Sequence, residues 1–172
     1  WDEWCDRALH RLMCYVNSTA DYVLHGWCGD ELKKCFLGEY TDSDYASCKL
    51  TRRSTSGMFL CLQGPNTFIP MAATSKKQTC ASPSSAESEI VALDSALRLQ
   101  GHPAISFWGS VSEAKLQLRV FEDNEATQKI QKNGEFEKPL GHLNRTHGIS
   151  LSWLTDIQEK KLVWIADCHT KA

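Results

Sequence analysis

Phe36-Leu37-Gly38-Glu39-Tyr40-Thr41-Asp42-Ser43-Asp44-Tyr45-Ala46 is the stretch that decides how this chain folds. Apolar and aromatic residues run into a turn-forming Asp-Ser-Asp, the pattern of a strand that delivers a carboxylate to the edge of a sheet. A single acid there says little, because turn residues commonly terminate strands. Further acids stand at comparable junctions: Glu89 on a helical stretch, Asp123 after the extended run Leu116 to Phe121, and Asp167 after Lys161 to Ile165. Strand-end carboxylates joined by one helical carboxylate make the ligand set expected of a pair of hard cations.

Downstream, the polar, basic segment Lys49 to Gly57 leads into a strand at Met58–Leu62. Gln63-Gly64-Pro65-Asn66 is a turn signal, and a third extended run covers Thr67 to Ala73, where Pro70 implies an edge strand or a bulge. Short connections predict an antiparallel meander that begins with the Asp42 strand. Ser82-Pro83-Ser84-Ser85-Ala86-Glu87 has the composition of a helix start, and a helix is expected from Ser88 to about Leu99. Glu89 stacks on Ala92, Leu93 and Ala96 and should point toward the sheet, whereas Glu87 should face solvent near the helix N-terminus. Gly101-His102-Pro103 should break the helix, with a second short one over Ala104–Val111. The strand ending at Phe121 follows, then a helix opened by Asp123-Asn124 and carrying Ala126 and Ile130. A helical or mixed segment from Leu140 to Leu154 and a closing strand Lys161–Ile165 complete the order. Ahead of all this, Trp1, Cys5, Leu9, Leu12, Met13 and Val16 form one face of an amphipathic helix, and Tyr22–Trp27 reads as a short strand or extended connector. The sum is an α/β fold on a mixed sheet with an N-terminal helical appendage.

The totals agree with one ordinary globular domain: 172 residues, 42% hydrophobic, 23% charged, net charge -2. Near-neutral charge means that any nucleic-acid surface must be a local basic patch. No apolar run reaches the ~18 residues that span a bilayer, so no membrane partner is expected. The eight cysteines include no Cys-x-x-Cys pair and the six histidines do not cluster with them, so the thiols read as reduced small hydrophobes. The opening Trp-Asp-Glu-Trp reads as the start of a fragment of a longer product.

Several motifs occur in a fixed order: Tyr40 to Ala46, Arg53-Ser54-Thr55-Ser56-Gly57, Ser75-Lys76-Lys77-Gln78-Thr79, Ser84-Ser85-Ala86-Glu87-Ser88-Glu89, Glu122-Asp123-Asn124, and Ala166-Asp167-Cys168-His169-Thr170-Lys171-Ala172. Together they resemble the ribonuclease H region at the end of copia-type retrotransposon polyproteins, and the opening helix resembles the tail of the preceding reverse transcriptase. The resemblance implies a ribonuclease H-like mixed sheet, an antiparallel three-strand meander plus parallel strands flanked by helices. It divides the chain into residues 1–34, the reverse transcriptase tail, and 35–172, the nuclease domain without its final helix. It carries the catalytic, metal-binding carboxylates onto Asp42, Glu89, Asp123 and Asp167, holding two Mg²⁺ or Mn²⁺ ions. By analogy Asp42 bridges the ions, Glu89 serves the one near the leaving group, Asp123 completes the site and Asp167 binds the one that activates water.

The substrate so implied is the RNA strand of an RNA–DNA hybrid, read through its minor groove and 2′-hydroxyls. The reverse transcriptase domain of the same polyprotein is the expected partner, with no small-molecule cofactor. The location would be the cytoplasmic virus-like particle or the nucleus, not a secreted form. Arg52, Arg53, Lys76 and Lys77 are candidates for phosphate contacts or else a solvated basic loop. Asn124 would orient a ribose hydroxyl or Asp123, or simply start its helix. His169, beside Asp167, is a candidate for a general-acid or product-release role or a surface residue. The Asp167 motif departs from the family, which shows Ala-Asp-Ile and a longer loop before it. That departure supports the alternative of a catalytically inactive remnant that serves only as a nucleic-acid-binding or structural module.

Overall fold

The computed structural model describes residues 1–124, 143–160 and 162–168. At its centre is the predicted Asp42 strand, β2 (Phe36–Asp44), followed by β3 (Thr55–Gly64) and β4 (Thr67–Lys77). β2–β3 and β3–β4 are antiparallel, as the short connections require. β5 (Leu118–Glu122) then lies parallel to β2, and β6 (Val163–Asp167) parallel to β5. A two-residue strand, β1 (Trp27–Cys28), pairs with β4. Among the described residues the sheet has six strands in the order β1-β4-β3-β2-β5-β6. This is the mixed sheet that the motifs imply, an antiparallel meander continued by parallel strands.

Strand alternation explains which side chains go inward. On β2, Leu37, Glu39, Thr41 and Ser43 are buried, while Asp42 and Asp44 are exposed. The inward row joins Leu60, Leu62, Leu118, Val120 and Val163 in one core. Ile90, Leu93 and Leu97 cover it from the helical side. The outward rows carry aromatics that touch across the strands, with Phe59–Tyr40 centroids 6.2 Å apart and Tyr40–Phe121 stacked at 4.6 Å. β4 is bulged: Leu60 pairs with Ala72 and Cys61 with Pro70, leaving Met71 over. Proline has no N–H for a ladder bond, so a bulge on a strand whose outer edge is paired only by the two residues of β1 is where it fits.

Helix α2 (Ser85–Ala96) starts where the serine cluster predicts, with the Ser84 hydroxyl accepting the Glu87 N–H at 3.2 Å. The expected break at Gly101-His102-Pro103 does not occur. α2 passes through a π-helical turn, Leu97–Gly101, directly into α3 (His102–Val111). A π turn shifts the hydrogen-bond register, and proline is tolerated in the first turn of the helix that follows. Gly101 is required by packing, because a Cβ there would meet Leu118 Cδ2 at 2.7 Å. Glycine thus lets the helix backbone press onto β5.

α4 (Leu143–His147) and α5 (Leu151–Glu159) add Leu143, Leu154 and Ile157 to the same core. β6 runs on to Asp167, so Asp167 closes the strand rather than following it. The helix expected from Asp123-Asn124 onward lies outside the described residues. The N-terminal helix, α1 (Glu3–Ser18), forms as its amphipathic spacing predicts and is capped by Asp2, but none of its residues is buried.

Candidate active site

The parallel β2–β5 pairing makes the site, because it brings two strand ends side by side. Asp42 stands on the exposed row of β2, opposite Gly57 of β3. Asp123 follows immediately after β5 and is exposed. Both border a groove of about 520 Å³ whose walls include Tyr40, Phe59, Ser75 and Phe121. Glu89 approaches from α2 and is 5% exposed. Its carboxyl is pushed up to about 8, first by burial and then by the negative charges of Glu122, Asp42 and Asp123. The structure therefore brings Asp42, Glu89 and Asp123 within electrostatic reach of one another. Asp167 joins them at backbone level, its Cα paired with that of Glu122. His169 lies outside the described residues.

Two carboxylates ~4 Å apart repel by roughly 4 kcal/mol at an effective dielectric of 20. Such a group takes up protons or draws in cations. One oxygen of Glu89, Oε2, is buried and meets no hydrogen-bond donor. An all-oxygen donor set with an unpaired buried oxygen fits a hard divalent cation. Among the described residues, however, no three acidic, histidine or cysteine side chains stand close enough to share one ion as they are.

One member of the group, Glu122, belongs to the sequence motif Glu122-Asp123-Asn124 but has no role assigned to it there. Glu122 is 0% exposed at the end of β5. Its Oε2 accepts the Thr41 hydroxyl at 2.8 Å and its Oε1 accepts the Asn124 N–H at 3.2 Å. Burial raises its carboxyl to about 7 against the lowering effect of those two bonds, with Asp123 and Asp42 adding to the rise. The signal was present in the alternation Leu118, Val120, Glu122, which sets all of them on one strand face.

Glu87 corrects an expectation. It does not face solvent: it is 1% exposed, with Oε1 3.4 Å from His147 Nε2 of α4. Spacing along α2 places Glu87 off the sheet-facing row, but α4 covers that second side.

The basic candidates border the same end of the sheet. Arg52 and Arg53 are exposed in the β2–β3 connection, where Arg52 adopts a left-handed φ of 55°. Lys76 and Lys77 are exposed at the end of β4, paired with Ser56 and Thr55. Asp42, Gly57 and Ser75 lie in one cross-strand row. At ~4.8 Å between neighbouring strands, Lys76 begins roughly 10 Å from Asp42. Lys77 is not wholly free, since its Nζ lies 2.7 Å from Cys48 Sγ. Asn124 is half-buried and donates its N–H to Glu122.

No protein-family model matches the chain. No curated protein sequence matches it. Among solved structures it is similar to RNase H1 from the halophilic archaeon Halobacterium salinarum, at 14% identity over 78% of this chain and 86% of that one, with a TM-score of 0.49. It is also similar to a foamy viral protease–reverse transcriptase in complex with double-stranded DNA, at 15% identity over 83% of this chain and 86% of that one, with a TM-score of 0.45. At these scores neither likeness assigns a role to any residue here.

Proposed function

We propose that this chain is the ribonuclease H domain of a copia-type retrotransposon polyprotein and hydrolyses the RNA strand of RNA–DNA hybrids. The observation that carries this reading is the gathering of Asp42, Glu89 and Asp123: Asp42 and Asp123 line an open groove, and their charges add to burial and Glu122 in raising the Glu89 carboxyl to about 8. Mg²⁺ or Mn²⁺, two ions when bound, would supply charge neutralisation at the phosphate and a more acidic water. Asp42, Glu89, Asp123 and Asp167 are the residues that would hold them. Asp42 and Asp123, both exposed, would face a phosphate in the groove across such ions, whereas Glu89 would contribute from the buried side. Arg52, Arg53, Lys76 and Lys77 would steady the backbone of the hybrid at its phosphates. The exposed apolar face of α1 agrees with a reverse transcriptase domain as its covering partner.

A second reading, an inactive remnant that serves only as a nucleic-acid-binding or structural module, draws support from the departure of the Ala166-Asp167-Cys168 motif from the family pattern. Incubating the protein with labelled hybrid and Mg²⁺, beside an Asp42→Asn variant, separates the two. The nuclease reading expects RNA-strand cleavage by the parent protein and almost none by the variant. RNA left intact by both preparations supports the remnant.

A further inference from the structure

We infer that Glu122 is a positioning residue, a buried bracket whose side chain sets the spacing of Asp42 and Asp123 toward a divalent cation. The inference rests on the metal-dependent reading above and adds a residue to it. Backbone pairing between β2 and β5 runs from Leu37↔Leu118 to Tyr40↔Phe121, one step short of Thr41 and Glu122. Beyond that point the Glu122 side chain continues the tie. Its Oε2 accepts from the Thr41 hydroxyl at 2.8 Å, and Thr41 immediately precedes Asp42. Its Oε1 accepts from the Asn124 N–H at 3.2 Å, and Asn124 immediately follows Asp123. Its main-chain oxygen accepts from the Cys168 N–H at 3.3 Å, and Cys168 immediately follows Asp167. One residue thus bonds, through separate oxygens, to a chain neighbour of Asp42, of Asp123 and of Asp167, the last through its main chain alone.

The chemistry explains why a carboxylate stands there. Leu118 and Val120, on the same face of β5, are fully buried hydrophobes, and a third would pack more cheaply than a buried acid. A hydrophobe, though, could accept neither donor. The strand ends bear like charges that repel, so without a brace they splay apart. Groups that orient metal ligands from behind typically change metal affinity 10–100-fold when removed.

The test measures Mn²⁺ binding to the metal-free protein, from the electron paramagnetic resonance signal of free Mn²⁺. The variants are Glu122→Ala, Glu122→Gln, Thr41→Val and Thr41→Ser, with Asp42→Asn as a ligand control. Thermal unfolding of each is followed without metal. The inference expects Glu122→Ala to weaken binding by about tenfold or more. Thr41→Val should weaken it less, and Thr41→Ser, which keeps the hydroxyl, should restore it. Glu122→Gln keeps one acceptor and should fall between. If Glu122→Ala does not fold, Thr41→Val against Thr41→Ser decides. Folded variants that bind Mn²⁺ like the parent protein, even with lowered unfolding temperatures, would overturn the inference and leave the nuclease reading standing. A parent protein that binds no Mn²⁺ overturns both.

Discussion

Replacing Glu39 with glutamine should stabilise the protein increasingly as pH rises from about 5 to about 8. Glu39 sits mid-strand in β2, between Leu60 and Val120 on the flanking strands, and is 0% exposed. Neither of its oxygens meets a hydrogen-bond donor. Burial pushes its carboxyl from the ordinary 4.5 to about 8. In that window the folded chain keeps a proton that the unfolded chain has released, so the contribution of Glu39 to stability falls as pH rises. The loss is complete once pH passes the folded value. One proton is worth about 1.4 kcal/mol per pH unit, which over the whole interval gives an upper bound of about 5 kcal/mol. Glutamine has the same shape and no charge, and its own buried amide costs the same at every pH. Urea unfolding of both proteins at intervals across the window measures the difference. Glu89 and Glu122 titrate in both and cancel. Stability curves that run parallel from acid to alkali would refute the assignment of Glu39 as a neutral buried acid.

Other outcomes follow from packing and charge. Gly101→Ala should destabilise by about 1–3 kcal/mol in chemical denaturation, because the new methyl meets Leu118, itself fully buried, at 2.7 Å. A gain instead, of the size helix propensity alone predicts, would mean that α3 and β5 can move apart. Ser84→Ala should cost about 1 kcal/mol by the same assay through loss of the cap on the Glu87 N–H. Alanine at Arg52, Arg53, Lys76 or Lys77 should weaken hybrid binding and lower the slope of log affinity against log salt by about one for each phosphate no longer neutralised. An unchanged slope would make that residue a solvated surface charge.

The meander was legible because its alternation, turn residues and short connections are local signals that agree with one another. Pro70 announced the bulge for the same reason, since a missing N–H has the same consequence in any strand. The π-helical turn was not legible. Gly101-His102-Pro103 spells a break in an isolated helix, and only the approach of Leu118 shows why the glycine stands inside a continuous one. Glu87 and Glu122 failed differently. Both are acids, and acids are expected at the surface, yet α4 covers one and the end of the sheet encloses the other.

From sequence alone came the order of the described strands and helices, the row of α2 on which Glu89 stands, and the acids near strand ends. These depend on periods of two and 3.6 residues along a single element. Tertiary structure decided which carboxylates share a neighbourhood, which are sealed from water and which neighbours hold them. Burial and charge coupling depend on the element that arrives across the gap, and no spacing within one strand or helix encodes that arrival.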